Sequence, residues 1–362
     1  MEGSYICVMG LVMAIGLLAS WQALIRHSPI DPLPTVLPLP PLPKGVYATN
    51  RRLQAALERL GDAWLPQPED LVISSDGRFM YAACSDGWIK QVELADGRVR
   101  NWTHIRGGRP LGLARGVNGE ILACEPSLGL LNITEGRVET LSDNACGVKF
   151  KFADSLDINS DDGCIYFTDA STKFGYGESD FDVLEARPNG RLLRYDPSTK
   201  STTVVLTNLY FPNGVAVSLD RKFVVFCETS KVRCQKLWLK GPYKGRVDEF
   251  IENLPGFPDN IHVTERGTFW IGLVSGRSLV METILGFPSM KHLLATSVGM
   301  RILDVNLRMA KVLEVSNDGK PLRFMEDPNG KAIGFVTCAL EHEKNLYLGG
   351  LKSSFVGKLR LE

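Results

Sequence analysis

The chain has no surplus of charge of either sign. Its 362 residues carry 41 Lys plus Arg against 41 Asp plus Glu, so nothing in the overall balance favours wrapping a nucleic acid, and any electrostatic function must be local. The composition is not that of a disordered chain either. Hydrophobic residues make up 44% and charged ones 23%, enough to bury a substantial core in one large domain or two ordinary ones. Helical periodicity is almost absent. Histidine is scarce, with His27, His104, His262, His292 and His342 the full set, which restricts where an imidazole can act as a base.

One long run is free of ionised side chains: Tyr5 to Ile25, about 21 residues with Gln22 as its single strongly polar member. That length spans a bilayer as a helix. A cleaved signal peptide is the competing reading, but no basic stretch precedes the run and small residues do not take the usual spacing before a cleavage point. The expectation is an uncleaved membrane anchor in residues 1–27. Residues 28–48 include PIDPLPTVLPLPPLP from Pro29 to Pro43, predicted to be an extended, semi-rigid spacer that carries a domain at 49–362 away from the membrane. Arg26, Arg51 and Arg52 would place the downstream side in the cytosol. The sequons Asn101-Trp102-Thr103 and Asn132-Ile133-Thr134 require a lumenal one for glycosylation, and a long folded domain after a single anchor agrees with them. Of eight cysteines, Cys7 lies in the apolar run, leaving an odd seven. Cys227 and Cys234 flank a short segment between two strand-like runs, where a disulfide and two buried free thiols are both open.

The remainder reads as short β runs separated by turns. Leu71–Ser74, Asp76-Gly77, Met80–Cys84, Asp86-Gly87 and Trp88–Leu94 form strand, turn, strand, turn, strand. The unit recurs from Leu111, Ser155, Val215, Ile261 and Val336. Repeats of this length made of four short strands suit propeller blades, because each blade buries its faces only against its neighbours. Two segments break the pattern. Thr49–Leu60 has apolar residues at Leu53, Ala56, Leu57 and Leu60, which predicts an amphipathic helix. Val280–Val298 interrupts the fifth repeat with two helical halves divided by Pro288, a candidate lid or membrane-facing patch or a surface elaboration without function.

Within the repeats, Glu69, Asp154, Asn213 and Asp259 each stand seven residues ahead of a turn, at Asp76, Asp161, Asp220 and Arg266. Arranged around an axis, four side chains at one phase point to one place. Asp and Asn also cap strand entries and turns, which is the plain structural reading of any one of them. Three carboxylates converging without a cation would repel, and at least one would take up a proton at neutral pH.

The strings Gly108-Arg109-Pro110-Leu111-Gly112, Gly190-Arg191-Leu192-Leu193-Arg194-Tyr195-Asp196-Pro197, Phe211-Pro212-Asn213-Gly214-Val215-Ala216 and Asn253-Leu254-Pro255-Gly256-Phe257-Pro258-Asp259-Asn260-Ile261 resemble the strictosidine synthase-like family. The likeness covers nearly all of the chain after the proline-rich segment. It implies an all-β, six-bladed β-propeller with an N-terminal anchor or signal, in a superfamily with paraoxonases and calcium-dependent lactonases, and the helical insertion at Val280–Val298 then falls in the fifth blade. It also implies residence in the endomembrane system, in the endoplasmic reticulum or vacuole with the propeller in the lumen.

The synthase chemistry itself fits poorly. The resemblance implies a catalytic glutamate in the last blade, and the positions where it falls are Phe335, Val336 and Thr337; Glu341 matches a noncatalytic acidic position. Without a carboxylate the condensation of an amine with an aldehyde loses its proton-transfer group. The metal-dependent branch implies a Ca²⁺ held by Glu69, Asp154, Asn213, Asp259 and Asn260, and oxygen donors suit that ion. Asp154 departs from the usual asparagine, and Ser155 stands where aspartate is common. The implied activity is hydrolysis of a small ester or lactone, with His262, two residues beyond Asn260 on a strand, as the candidate base. A condensing enzyme and a non-catalytic binding or scaffold propeller are the alternatives.

Overall fold

The computed structural model describes residues 2–296 and 309–361. Six four-stranded antiparallel sheets follow one another along the chain. Their innermost strands begin at Leu71, Leu113, Ala153, Pro212, Gly256 and Val336, and these define blades 1 to 6. Blades 1 to 5 take their four strands in sequence order. Blade 6 is closed differently: its outermost strand is Glu58–Leu60 from the N-terminal side, paired with Val356–Arg360 as Glu58 with Lys358 and Leu60 with Val356.

This closure overturns part of the expectation for Thr49–Leu60. Only Arg52–Ala55 is helical, and the chain then extends into the closing strand. The apolar positions are nevertheless satisfied, since Leu53 is fully buried and Leu57 packs beside it between blades 5 and 6. Ring closure offers three residue pairs that a longer helix would forfeit, and tertiary pairing overrides a weak local helical preference.

The core is divided by blade. Six apolar clusters lie one between each pair of neighbouring blades, including Phe223, Phe250 and Phe269 between blades 4 and 5, and Met80, Cys338 and Tyr347 between blades 6 and 1. No single centre holds the ring. Each fully buried phenylalanine such as Phe269 contributes to one interface, and truncating it to alanine would cost about 3–5 kcal/mol. Cys227 and Cys234 face each other across two strands of blade 4 and form a disulfide.

The N-terminal segments depart from expectation at the spacer. Glu2–Arg26 is one helix, α1. Several of its side chains, Cys7 among them, fall outside the described set, and among the described residues no helix is long and apolar enough to cross a membrane. The anchor therefore gains no support from the fold. The proline-rich segment is no free spacer but a strap laid on the propeller. Ile30 is buried with Phe174, Leu184 and Leu294, Leu33 N–H donates to Glu185 O at 2.9 Å, and Thr35 N–H donates to Leu285 O at 3.1 Å. Ile30 and Leu37 supply its apolar contacts, while Leu33, Val36, Leu39 and Leu42 stay exposed, so backbone hydrogen bonds carry much of the attachment.

The insertion in blade 5 is helical as expected and split at Pro288. It comprises Leu279–Leu285 and Pro288–Leu294, with the proline at the start of the second helix, where its missing N–H costs nothing. Ser297 and Val298, the end of the predicted insertion, lie outside the described residues. A further short helix, Ser179–Glu185, sits in blade 3 between its second and third strands. Asp169, the last residue of that second strand, pairs with Ala153, and Gly276 pairs with Gly256 in blade 5. Both elaborations therefore leave the ring on the face where the innermost strands begin, and together with the strap they build over that face.

Candidate metal centre

Asp154, Asn213 and the pair Asp259-Asn260 all sit in β-bulges. The register of each innermost strand shifts between Ala153 and Leu156, between Pro212 and Val215, and between Pro258 and Ile261. A bulge re-aims side chains that a regular strand would alternate between faces. That is how the consecutive residues Asp259 and Asn260 serve the same pocket. Blade 6 has the same irregularity between Val336 and Cys338, but Thr337 occupies it.

Neighbouring blades hold these bulges in place. Thr168 Oγ1 of blade 3 donates to Asn213 O at 2.8 Å, Thr229 Oγ1 to Pro258 O at 2.7 Å, and Thr337 Oγ1 to Glu69 O at 2.6 Å. Gly214 allows a close approach between blades 4 and 5, since a Cβ there would lie 2.3 Å from Asp259 O and 2.7 Å from Ile261 N. The Asn-Gly step in blade 4 thus supplies a candidate ligand and the clearance for the next blade's pair.

Glu69, Asp154, Asn213, Asp259 and Asn260 are all buried and lie near one another. Asn260 Nδ2 donates to Glu69 Oε1 at 2.7 Å. The Asn213 side chain lies beside Asp259, and Glu69 and Asp154 each interact with Asp259 through their charges. Four buried oxygens in the set have no hydrogen-bond partner: Glu69 Oε2, Asn213 Oδ1, Asp259 Oδ1 and Asn260 Oδ1. Buried polar atoms are nearly always satisfied, so four acceptors orphaned together call for a donor or a cation. Burial, followed by mutual repulsion, holds Glu69 and Asp154 well above the usual carboxylate range, and burial pushes Asp259 up to about 8. An oxygen-only donor set carrying carboxylates fits a hard divalent cation such as calcium.

Other residues at this centre escaped the sequence reading. Arg109 threads its guanidinium toward Ala83 O at 3.3 Å and Gln67 O at 3.0 Å, and its charge partly offsets the upward shift of Glu69. Phe152 and Phe211, both buried, stack edge to face with centroids 5.2 Å apart, each two residues before a candidate ligand. Phe211 and Phe335 hold positive φ angles of 51° and 53°, as does Gln67 at 46°. Bulky residues rarely adopt this conformation, and its recurrence two residues before Glu69, Asn213 and Thr337 marks a shared backbone geometry at the starts of these blades. The phase of the candidate ligands was the available signal, read two positions earlier.

His262 is placed elsewhere. Its Nε2 lies 2.8 Å from Asp70 Oδ1 and 3.3 Å from Cys338 Sγ, farther along the tunnel than Asn260 by one inward-facing position. Burial alone would lower its pKa, but the adjoining Asp70 carboxylate outweighs that effect and the net shift is upward. Asn101 is exposed on the outermost strand of blade 1. Asn132 is half-buried in a strand paired on both sides in blade 2.

A six-bladed propeller with a cluster of buried, unpartnered oxygens where its innermost strands begin defines the class. Family models described as strictosidine synthase-like, N-terminal, and strictosidine synthase match residues 45–92 and 154–242. The chain is 37% identical over 342 residues to Protein STRICTOSIDINE SYNTHASE-LIKE 6 of Arabidopsis thaliana, covering 92% of this chain and 88% of that one. It is 34% identical over 359 residues to the adipocyte plasma membrane-associated protein of Bos taurus, covering 93% and 86%. It belongs to the strictosidine synthase-like family. Solved structures share the fold: a gluconolactonase from Xanthomonas campestris superposes with a TM-score of 0.62 at 17% identity over 93% of this chain and 99% of that one. A calcium-binding regucalcin from Agrobacterium tumefaciens does so with a TM-score of 0.58 at 13% identity, over 84% and 93%.

Proposed function

We propose that this protein is a calcium-dependent hydrolase of small esters or lactones. The observation that carries the reading is the set of four unpartnered buried oxygens, one each from Glu69, Asn213, Asp259 and Asn260, beside the Asp154 carboxylate. When bound there, calcium would polarise a substrate carbonyl and stabilise the oxyanion. The protein's own part is to hold those donors rigidly. Phe152 and Phe211, packed with Leu111 and Ala170, form an apolar support close in sequence to the candidate ligands.

The binding or scaffold reading is favoured by one observation. The imidazole expected as base is engaged with Asp70 and Cys338, away from the oxygen cluster. A condensing synthase is disfavoured, because none of Phe335, Val336 and Thr337, where the last-blade glutamate falls, is a carboxylate, and Thr337 directs its hydroxyl to a backbone carbonyl. A panel of aryl esters and lactones, assayed with and without calcium and with Asp259→Ala as control, decides among them. Calcium-dependent turnover lost in the variant supports the hydrolase. Calcium binding with no turnover of any member supports the scaffold, and condensation of an amine with an aldehyde would restore the synthase.

Membrane attachment through residues 1–27 and a lumenal position in the endoplasmic reticulum or vacuole belong to the same proposal. The uncharged run Tyr5–Ile25 supports the first, and the exposed Asn101 sequon the second. Val280 and Phe287 of the insertion are also largely exposed, and α1 passes beside the second insertion helix. Expression through a secretory pathway tests the orientation: a glycosidase-sensitive mass shift abolished by Asn101→Gln agrees with it, and none in the wild type opposes it.

A further inference from the structure

Asp70, His262 and Cys338 belong to the innermost strands of blades 1, 5 and 6, or to the residue just before one, and meet within the tunnel. Their ligand atoms Oδ1, Nε2 and Sγ all lie within 4.8 Å of one another. Nε2 is 2.8 Å from the carboxylate oxygen and 3.3 Å from the sulfur. An imidazole nitrogen carries at most one hydrogen, so it can donate to only one of these two neighbours. A tetrahedral cation bonded at about 2.0–2.3 Å to oxygen, nitrogen and sulfur needs donors roughly 3.3–3.6 Å apart; the imidazole–sulfur spacing of 3.3 Å meets the lower end of that range, and the carboxylate–imidazole spacing of 2.8 Å falls about half an ångström short of it.

The surroundings are those of a prepared ligand set. Asp70 Oδ1 accepts from Leu71 N–H at 2.8 Å and Oδ2 from Leu113 N–H at 2.8 Å, so backbone from two blades fixes the carboxylate. Cys338 is fully buried and free of any disulfide. His262 also borders a cavity of about 100 Å³ lined by Leu71, Leu113, Asp157, Ile261 and Leu340. These residues come later on their innermost strands than the oxygen cluster, so the cavity lies toward the opposite end of the tunnel. It leaves room for a water as fourth ligand.

We propose that Asp70, His262 and Cys338 form a second metal centre in the axial tunnel, selective for a zinc-class divalent ion. The donor chemistry separates it from the first centre. A thiolate and an imidazole favour late first-row metals, whereas the Glu69 cluster offers only oxygen and favours calcium. The tunnel thus holds two sites of different preference, joined through the adjacent residues Glu69 and Asp70. This proposal does not depend on the hydrolase reading.

Cobalt(II), a spectroscopic stand-in for zinc, tests it on the metal-free full chain. One equivalent is expected to give a thiolate-to-cobalt charge-transfer band with tetrahedral visible absorption. Cys338→Ser should abolish the band while calcium binding persists, and Cys146→Ser, which removes the exposed thiol, should leave it intact. No band, or a band surviving in Cys338→Ser, overturns the proposal. Should that variant fail to fold, X-ray absorption of the zinc-loaded wild type decides: one sulfur in the coordination shell supports the site, and nitrogen and oxygen alone overturn it. His262→Gln should weaken cobalt binding about 100-fold, and an unchanged affinity counts against the assignment.

Discussion

The side-chain amide of Asn260 donates to Glu69 Oε1 at 2.7 Å and so joins the fifth blade to the first. The bond leaves Glu69 Oε2 and Asn260 Oδ1 as two of the four oxygens without partners. Glu69→Gln removes a carboxylate from the set but keeps its size. Calcium affinity is expected to fall about tenfold or more, as measured by titration calorimetry. An affinity within about twofold of wild type would remove Glu69 from the ligand set.

Metal removal should change how stability responds to pH. Burial raises Asp259 to about 8 without a cation, and Glu69 and Asp154 also lie well above their ordinary values. Their folded-state pKa values exceed the unfolded ones, so the folded protein retains the extra protons. That contribution is complete below about pH 4 and is lost as pH rises through about 8. The calcium-free protein should therefore show a falling Tm from about pH 5 to pH 8, while calcium raises Tm most at the alkaline end. Thermal scans with calcium and with chelator check this. A gap between the two curves that does not widen with pH would contradict it.

Asp154→Asn separates charge from coordination. The substitution keeps an oxygen but takes one negative charge from a buried set of three carboxylates, Glu69, Asp154 and Asp259. Without metal, the variant should be more stable than wild type at pH 8, because less repulsion has to be relieved by protonation. Its calcium affinity should fall. Paired denaturation and calcium titrations would show opposite signs for the two effects.

Gly214→Ala tests the clearance between blades. The new Cβ meets backbone at 2.3 Å, and backbone cannot rotate away. A loss of about 1–3 kcal/mol is expected from overpacking, read as a lower denaturant midpoint with an unchanged slope. Calcium binding should weaken as well, since the atoms displaced belong to Asp259 and Asn260. An unperturbed midpoint would show that the ring expands at little cost.

The strap can be loosened without entering the ring. Ile30→Asp buries a carboxylate among Phe174, Leu184 and Leu294, which favours release of residues 28–48. Limited proteolysis should then cut the proline-rich segment faster while the propeller stays protected. Equal rates in variant and wild type would mean that the polar ties of the strap, such as Lys291 Nζ to Thr35 Oγ1 at 2.6 Å, suffice to hold it.

The blades and the oxygen set were legible because period and phase survive in a linear sequence. Glu69, Asp154, Asn213 and Asp259 keep one distance to their turns, and equal positions in successive blades face one axis. Asp70 and Cys338 were not legible as partners, since they come from the first and last blades and meet only when the ring closes. Thr49–Leu60 misled because its apolar spacing satisfies a helix, whereas pairing with Val356–Arg360 decides the fate of its end. The strap misled through composition: a proline-rich stretch ordinarily extends into solvent, but Ile30, Leu33 and Leu37 find partners on the domain.

The pairing of Glu58–Leu60 with Val356–Arg360 also orders events during synthesis. The strand that completes blade 6 is made before any blade, yet its partner emerges almost last. Until then both ends of the ring present open sheet edges, which invite association with other chains. A nascent or truncated chain lacking its last few residues should accordingly be vulnerable out of proportion to the length removed, because what it loses is the seam of the ring.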